Sequence, residues 1–188
     1  FSMQELIESF SLERVGKAGA KFDFDKTRWF NQQYLKAKSK KELAKDLQVI
    51  LKENGVAAED NFVETVCAQL KERATFIKDM WEEGKYYFLE PTTYDEKIIQ
   101  KKWQEDTPKH MLELKSRLEA ISDFTAEKIE KEFKAYLEEN KLGMGKLLPV
   151  FRVALTGLGI GPSLFEIAAL IGKKQTISRI EKALNTIK

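Results

Sequence analysis

Apolar residues recur at helical spacing from one end of this sequence to the other, and most such stretches begin or end at a helix-capping residue. Ser2-x-x-Glu5 and Ser39-x-x-Glu42 have the capping-box form, a hydroxyl and a carboxylate that reciprocally satisfy the first free N–H groups of a helix. The first opens a short helix through Phe10. The second precedes Leu43, Leu47, Ile50 and Leu51 on one face, and Gly55 closes that helix. Asp25 is placed to cap a helix over 26–36 carrying Trp29, Phe30 and Tyr34. Asp60 starts another with Phe62, Val63, Val66, Cys67 and Leu70 inward, and a further turn through Phe76, Met80 and Trp81 ends at Gly84. Only Tyr86-Tyr87-Phe88-Leu89 looks strand-like; Pro91 stops it and no partner strand follows, so it reads as a packed connector.

The second half repeats the pattern. Thr107-Pro108 supplies a cap and an N1 proline before Met111, Leu112, Leu114, Leu118 and Ile121; Thr125 precedes Ile129, Phe133, Tyr136 and Leu137. Then six of the ten glycines fall between 143 and 172, with Pro149 and Pro162 among them. That stretch predicts short apolar helices over 147–155 and 162–171 joined by tight turns, and a last helix from about Thr176 that buries Ile177, Ile180 and Leu184. The fold class is all-α, with a boundary near 92–106.

Composition narrows the chemistry. With 188 residues, 43% hydrophobic and 33% charged, a packed core is expected and wholesale disorder is not. No apolar run approaches the roughly 18 residues of a membrane span. The start, Phe1-Ser2-Met3, carries no signal-peptide pattern and leads us to expect a piece of a longer chain. One cysteine, Cys67, excludes an internal disulfide and a Cys-based zinc site, and one histidine, His110, argues against a Ser-His-Asp triad. Cys67 beside Val66 and Leu70 reads as a buried apolar group, His110 as an exposed residue of a helix's first turn. Carboxylates such as Glu127, Glu130 and Glu132 lie on lysine-rich helix faces where i,i+4 pairing accounts for them. Gly157-x-Gly159-x-Gly161 lacks the preceding strand and the Lys-Ser/Thr ending of a phosphate loop. No catalytic or metal-ligating set is expected.

The net charge of +2 hides an uneven distribution. Lys141, Lys146, Arg152, Lys173, Lys174, Arg179, Lys182 and Lys188 face only Glu166 and Glu181 in the last 48 residues, and 21–52 holds nine Lys/Arg against four acids. Two basic islands around an acidic middle suit a polyanion tracked across an extended surface; they suit ordinary solvated helices as well. Arg152, ahead of the glycine-rich turn, and Leu164-Phe165, behind it, set a guanidinium near an aromatic ring. Such a pair suits an unstacked RNA base, or else a core phenylalanine and a paired arginine.

The same residues carry a resemblance. Phe10-Ser11-Leu12-Glu13-Arg14-Val15, Lys17-Ala18-Gly19-Ala20-Lys21-Phe22-Asp23 and Lys26-Thr27-Arg28-Trp29-Phe30-Asn31 resemble the segment after the catalytic half of bacterial glutamyl-tRNA synthetases. So do Leu70-Lys71-Glu72-Arg73-Ala74, Phe151-Arg152-Val153-Ala154-Leu155-Thr156-Gly157, Gly161-Pro162-Ser163-Leu164-Phe165-Glu166 and Leu170-Ile171-Gly172-Lys173. The resemblance spans essentially the whole chain, the acidic middle being its least diagnostic part. It implies the anticodon-binding region of a class I ligase that joins glutamate to tRNA(Glu) through an adenylate. ATP and Mg2+ would then belong to a catalytic domain in cis. That domain's HIGH-like and KMSKS-like motifs are not present: His110 is followed by Met111, and Lys38-Ser39-Lys40-Lys41 lacks the right surroundings.

Residue by residue, the resemblance implies that Arg152 faces an anticodon base. It also implies that Gly161, Pro162, Leu164 and Phe165 pack against splayed anticodon bases, and that Arg73 reads the third one. Lys26 and Trp29 resemble a pair near the inner corner of the tRNA. Lys134 stands where some members have an arginine, but a lysine forms no planar fork, which puts that role in question. The implied organisation is 1–30 as the tail of a stem-contact region, with helical subdomains over 31–105 and 106–188 in an elongated module. It would be non-catalytic alone, cytoplasmic, monomeric and unattached to membrane. The rival expectation is a helical protein-interaction module with a basic C-terminal surface.

Overall fold

A computed structural model describes residues 1–16, 19 and 21–187, and within them every regular element is helical. Lys17, Ala18 and Ala20 of the family-like segment, and Lys188 of the basic C-terminal set, lie outside the described residues. The helices are α1 (Met3–Ser9), α2 (Phe24–Ala37), α3 (Lys40–Glu53), α4 (Asp60–Leu70), α5 (Ile77–Phe88), α6 (Glu96–Lys102), α7 (Thr107–Ala120), α8 (Ala126–Glu139), α9 (Met144–Thr156) and α10 (Leu164–Thr186). Both capping boxes form as their spacing predicts, on Ser2 and Ser39. Asp23, rather than Asp25, caps α2, its carboxylate accepting from Lys26 N–H at 2.9 Å. None of the described helices is long and apolar enough to cross a membrane.

Two hydrophobic clusters organise the chain. The first is built from α3, α4 and α5, with Leu43, Leu47, Leu51, Val63, Val66, Leu70, Met80 and Trp81 buried together. The second is built from α7 to α10 around Met111, Leu114, Phe133, Tyr136, Phe151 and Phe165. Tyr94, Ile99 and Trp103 pack against this second cluster, so α6 sides with α9 and the apolar division falls near 89–93. Ile167 of α10 crosses that division and is buried in the first cluster.

Local features of the helices, two of them departures from the sequence expectation, have identifiable reasons. The helix does not stop at Gly84 but continues through Tyr86 and Phe88; the glycine serves packing, since a Cβ there would lie 2.5 Å from Leu70 Cδ1. That glycine permits close α4–α5 contact, and the expected connector is the last turn of α5. Pro149 lies inside α9, where it cannot supply the N–H that Gly145 O needs; Lys102 Nζ donates to that carbonyl at 2.8 Å instead. α10 breaks at Gly172 (φ 82°, ψ 162°), between the two helices expected over 162–171 and from about Thr176. Thr176 Oγ1 donates to Ala168 O at 3.2 Å across the kink. Asp106, not Thr107, occupies the N-cap position of α7, without a side-chain capping bond; Thr107 is buried and accepts from Gln104 N–H at 2.9 Å.

Ahead of Leu35 no described side chain is buried. Phe1, Met3, Leu6, Ile7, Phe10, Leu12, Val15, Phe22, Phe24, Trp29, Phe30 and Tyr34 are all exposed there. So dense an uncovered apolar surface marks a contact region rather than ordinary exposure.

Candidate nucleic-acid interface

Arg152 projects from the last turns of α9 and is half-buried. Its surroundings come from three places in the chain. Gly161, in the α9–α10 turn, roofs it: a Cβ there would lie 3.1 Å from Arg152 Nη1 and 3.6 Å from Tyr86 Oη. Tyr86, in the last turn of α5, is buried. Arg73, in the turn after α4, is exposed, and its charge is close enough to act on Arg152. Burial pulls the Arg152 guanidinium below the ordinary arginine value; Tyr86 opposes this, Arg73 adds to it, and Tyr87 opposes it. Arginine remains charged regardless.

The turn over 157–161 is rigidly mounted. Gly157 is left-handed (φ 76°) and closes α9, its N–H donating to Val153 O at 2.8 Å. Its carbonyl accepts from Asp95 N–H at 2.9 Å. Leu158 N–H donates to Thr156 Oγ1 at 3.1 Å. A Cβ at Gly159 would meet Ile98 Cγ1 at 2.8 Å and Asp95 Oδ2 at 2.9 Å. Gly157 and Gly159 therefore serve close packing on the 91–98 strap, and a nucleotide-phosphate cradle does not fit here. Ile160, between Gly159 and Gly161, is displayed at 74% exposure.

The site residues anticipated from sequence divide by position. Arg73, Arg152 and Gly161 converge, with Pro162 half-buried in the same turn. Leu164 and Phe165 follow at the start of α10 and lie in the core, Phe165 with its ring centroid 5.5 Å from that of Phe133. Lys134 is exposed on α8 and paired with Glu130 at 2.7 Å. Lys26 and Trp29 are exposed on α2, Lys26 Nζ lying 6.0 Å from the centre of the Phe30 ring. No hydrogen bond or ion pair among the described residues joins these last three to the Arg152 cluster. Tyr86 and Ile160 belong to the cluster as well, and sequence reading missed both. Tyr86 sits in the run taken for a connector, and an isoleucine between glycines carries no signal by itself.

Several charges of the basic C-terminal island are used internally. Arg179 is buried, donating from Nη1 to Tyr86 O at 2.6 Å and Leu155 O at 2.8 Å and from Nη2 to Leu89 O at 3.2 Å. Lys146 pairs with Asp106, Lys182 with Glu90 at 3.3 Å, and Lys173 Nζ donates to Glu119 O at 3.0 Å. Arg152, Lys141 and Lys174 have no such partner among the described residues. His110 is not an exposed turn residue: its Nδ1 lies 2.7 Å from Tyr136 Oη, which donates to Glu113 Oε2 at 2.7 Å. Cys67 is buried as expected, and burial pushes its thiol up to about 12.

With this geometry in hand, similarities to known proteins take on structural meaning. The family model of the anticodon binding domain matches residues 27–184. The glutamate–tRNA ligase of Phocaeicola vulgatus is 44% identical over 187 residues, which cover 100% of this chain and 37% of that protein. The enzyme of that name from Flavobacterium johnsoniae is 45% identical with the same coverage. Among solved structures, a glutamate tRNA ligase from Elizabethkingia meningosepticum in complex with its amino acid aligns with a TM-score of 0.93 at 40% identity, over 100% of this chain and 37% of that one. The chain therefore spans little more than a third of the length of these relatives.

Proposed function

This chain belongs to the anticodon binding domain family, and from that premise we propose that it reads the anticodon of tRNA(Glu) as part of a glutamate–tRNA ligase. One observation carries the reading: Arg152 and Arg73 are neighbouring cations, one half-buried, with no carboxylate paired to either among the described residues. Two uncompensated guanidiniums within electrostatic range of each other are unfavourable in an empty protein and favourable once hydrogen-bond acceptors arrive. Unstacked bases supply such acceptors on their exposed edges, and Ile160 offers an apolar face beside them. Free lysines on the surrounding helices add phosphate contacts that weaken with salt.

The ligase reaction itself, with ATP and Mg2+, is proposed to belong to the rest of a longer cytoplasmic, monomeric protein. The exposed apolar side chains before Leu35 support this, because a domain in cis would cover them. Lys26 and Trp29 in that region are proposed to reach the tRNA near its inner corner, and Lys134 remains a candidate phosphate contact.

The test is binding to a tRNA(Glu) anticodon stem-loop beside the same loop with its third anticodon base changed. Tight binding that weakens with the change is expected. Equal binding to both loops would favour the protein-interaction module, for which anticodon sequence is irrelevant. Arg152→Ala is expected to cost about 1–3 kcal/mol of binding free energy; unchanged affinity in a filter or fluorescence titration would remove Arg152 from the interface. Arg73→Gln should narrow the gap between glutamate and glutamine anticodons, because glutamine loses the charged fork yet still donates. Identical discrimination by variant and parent would contradict its role as third-base reader.

A further inference from the structure

Tyr86 is 4% exposed, and its hydroxyl has no hydrogen-bond partner. Arg152 Nη1 is likewise buried and unpartnered. Both atoms face the same glycine, Gly161, at the distances given above. Each unmade bond carries a desolvation cost, so a donor and an acceptor left unjoined under one glycine call for an explanation. Tyr87 Oη donates to Gln69 Oε1, so its proton is not available to the Tyr86 oxygen. The Tyr86 backbone is held separately, its carbonyl taking Arg179 Nη1. The phenol is therefore anchored at its base and free at its tip.

We propose that Tyr86 is the positioning residue of Arg152: its hydroxyl accepts from Nη1 when an RNA base engages the outer edge of the guanidinium. The inference rests on the anticodon-reading function proposed above. A guanidinium alone turns about its long stem; anchored from below, its fork is fixed in the plane a base edge requires. The bond forms in a sheltered place, where a charge-assisted hydrogen bond is short and strong. Gly161 keeps that place open, because a side chain there would begin 3.1 Å from Nη1 and 3.6 Å from the hydroxyl.

Tyr86→Phe tests this, since it removes the hydroxyl and keeps the ring. Two quantities are read: the melting temperature of the chain, and its affinity for the tRNA(Glu) anticodon stem-loop and the base-changed loop at two salt concentrations. We expect melting to stay the same or rise, because an unpaired buried hydroxyl is lost. Affinity for the cognate loop should fall about tenfold, the worth of a hydrogen bond to a charged group. The salt dependence should run parallel to the parent's, as no phosphate contact is removed. If the parent separates the two loops and Tyr86→Phe matches it, the positioning role is wrong while the anticodon reading stands. A lower melting temperature accompanying the lost affinity would make Tyr86 a structural residue and overturn the inference. Failure of the parent to separate the loops would overturn both.

Discussion

Arg179→Ala should destabilise the chain by about 3–5 kcal/mol, because three backbone carbonyls lose their donor at roughly 1–3 kcal/mol for each that stays buried. Small domains have only about 5–15 kcal/mol in total. The physical basis is the company Arg179 keeps. Its three acceptors, Tyr86 O, Leu89 O and Leu155 O, lie at the C-terminal ends of α5 and α9. Those carbonyls have no helical partner, and both helix dipoles present their negative ends there, so one cation caps two helices at once. Burial pulls the guanidinium below its ordinary value, opposed by Glu90 and Tyr94, but not far enough to discharge an arginine. Arg179→Lys should recover only part of the loss, since an ammonium lacks the rigid fork that serves both helix ends. Chemical denaturation of the three proteins checks this; a loss under about 1 kcal/mol for alanine would show that water replaces the guanidinium at no great cost. Because Arg179 also holds the Tyr86 carbonyl, weakened RNA binding should accompany the weakened fold.

Gly157→Ala should cost about 2–5 kcal/mol, combining a left-handed backbone with overpacking. The added Cβ would stand 2.5 Å from Thr93 O, a backbone atom, and 3.1 Å from Pro91 Cβ. Neither moves without displacing the strap that positions the turn over Arg152. Gly55 supplies an internal comparison: its φ is 71°, but nothing lies within 4 Å of the added atom. Gly55→Ala should therefore cost only about 1–2 kcal/mol, the conformational part. If thermal melts find the two variants equal, the steric part at Gly157 is absent and the strap is softer than its contacts imply.

Much of the fold was legible because helix signals are local. Ser2 and Ser39 cap where their spacing says, and the apolar faces of α3, α4, α7 and α8 bury most of the residues that periodicity selects, Leu112 of α7 being exposed instead. The misreadings occur where a local rule met a distant atom. Gly84 looks like a stop until Leu70 is brought against it, and His110 looks like an exposed turn residue until Tyr136 reaches it. The same division runs through the candidate site. Arg152 and Arg73 carry an intelligible chemistry in sequence, but 79 positions separate them and only the tertiary packing that sets α5 against α9 brings their charges within range of each other. Charge counting could not separate Arg179 from Arg152, since burial depends on what each meets rather than on what each is.

The sequence by itself determined that this chain is helical, roughly where its helices begin, and, through family-like segments, what kind of partner its two ends resemble. These follow from backbone capping, side-chain period and residue order, all set within a turn or two of chain. Tertiary structure alone decided which cations stay available, why the turn over 157–161 must be glycine-rich, and that an unpaired phenol lies beneath Arg152. Those properties depend on which atoms distant segments bring within a few ångströms, because desolvation, steric exclusion and hydrogen bonding are decided at that range.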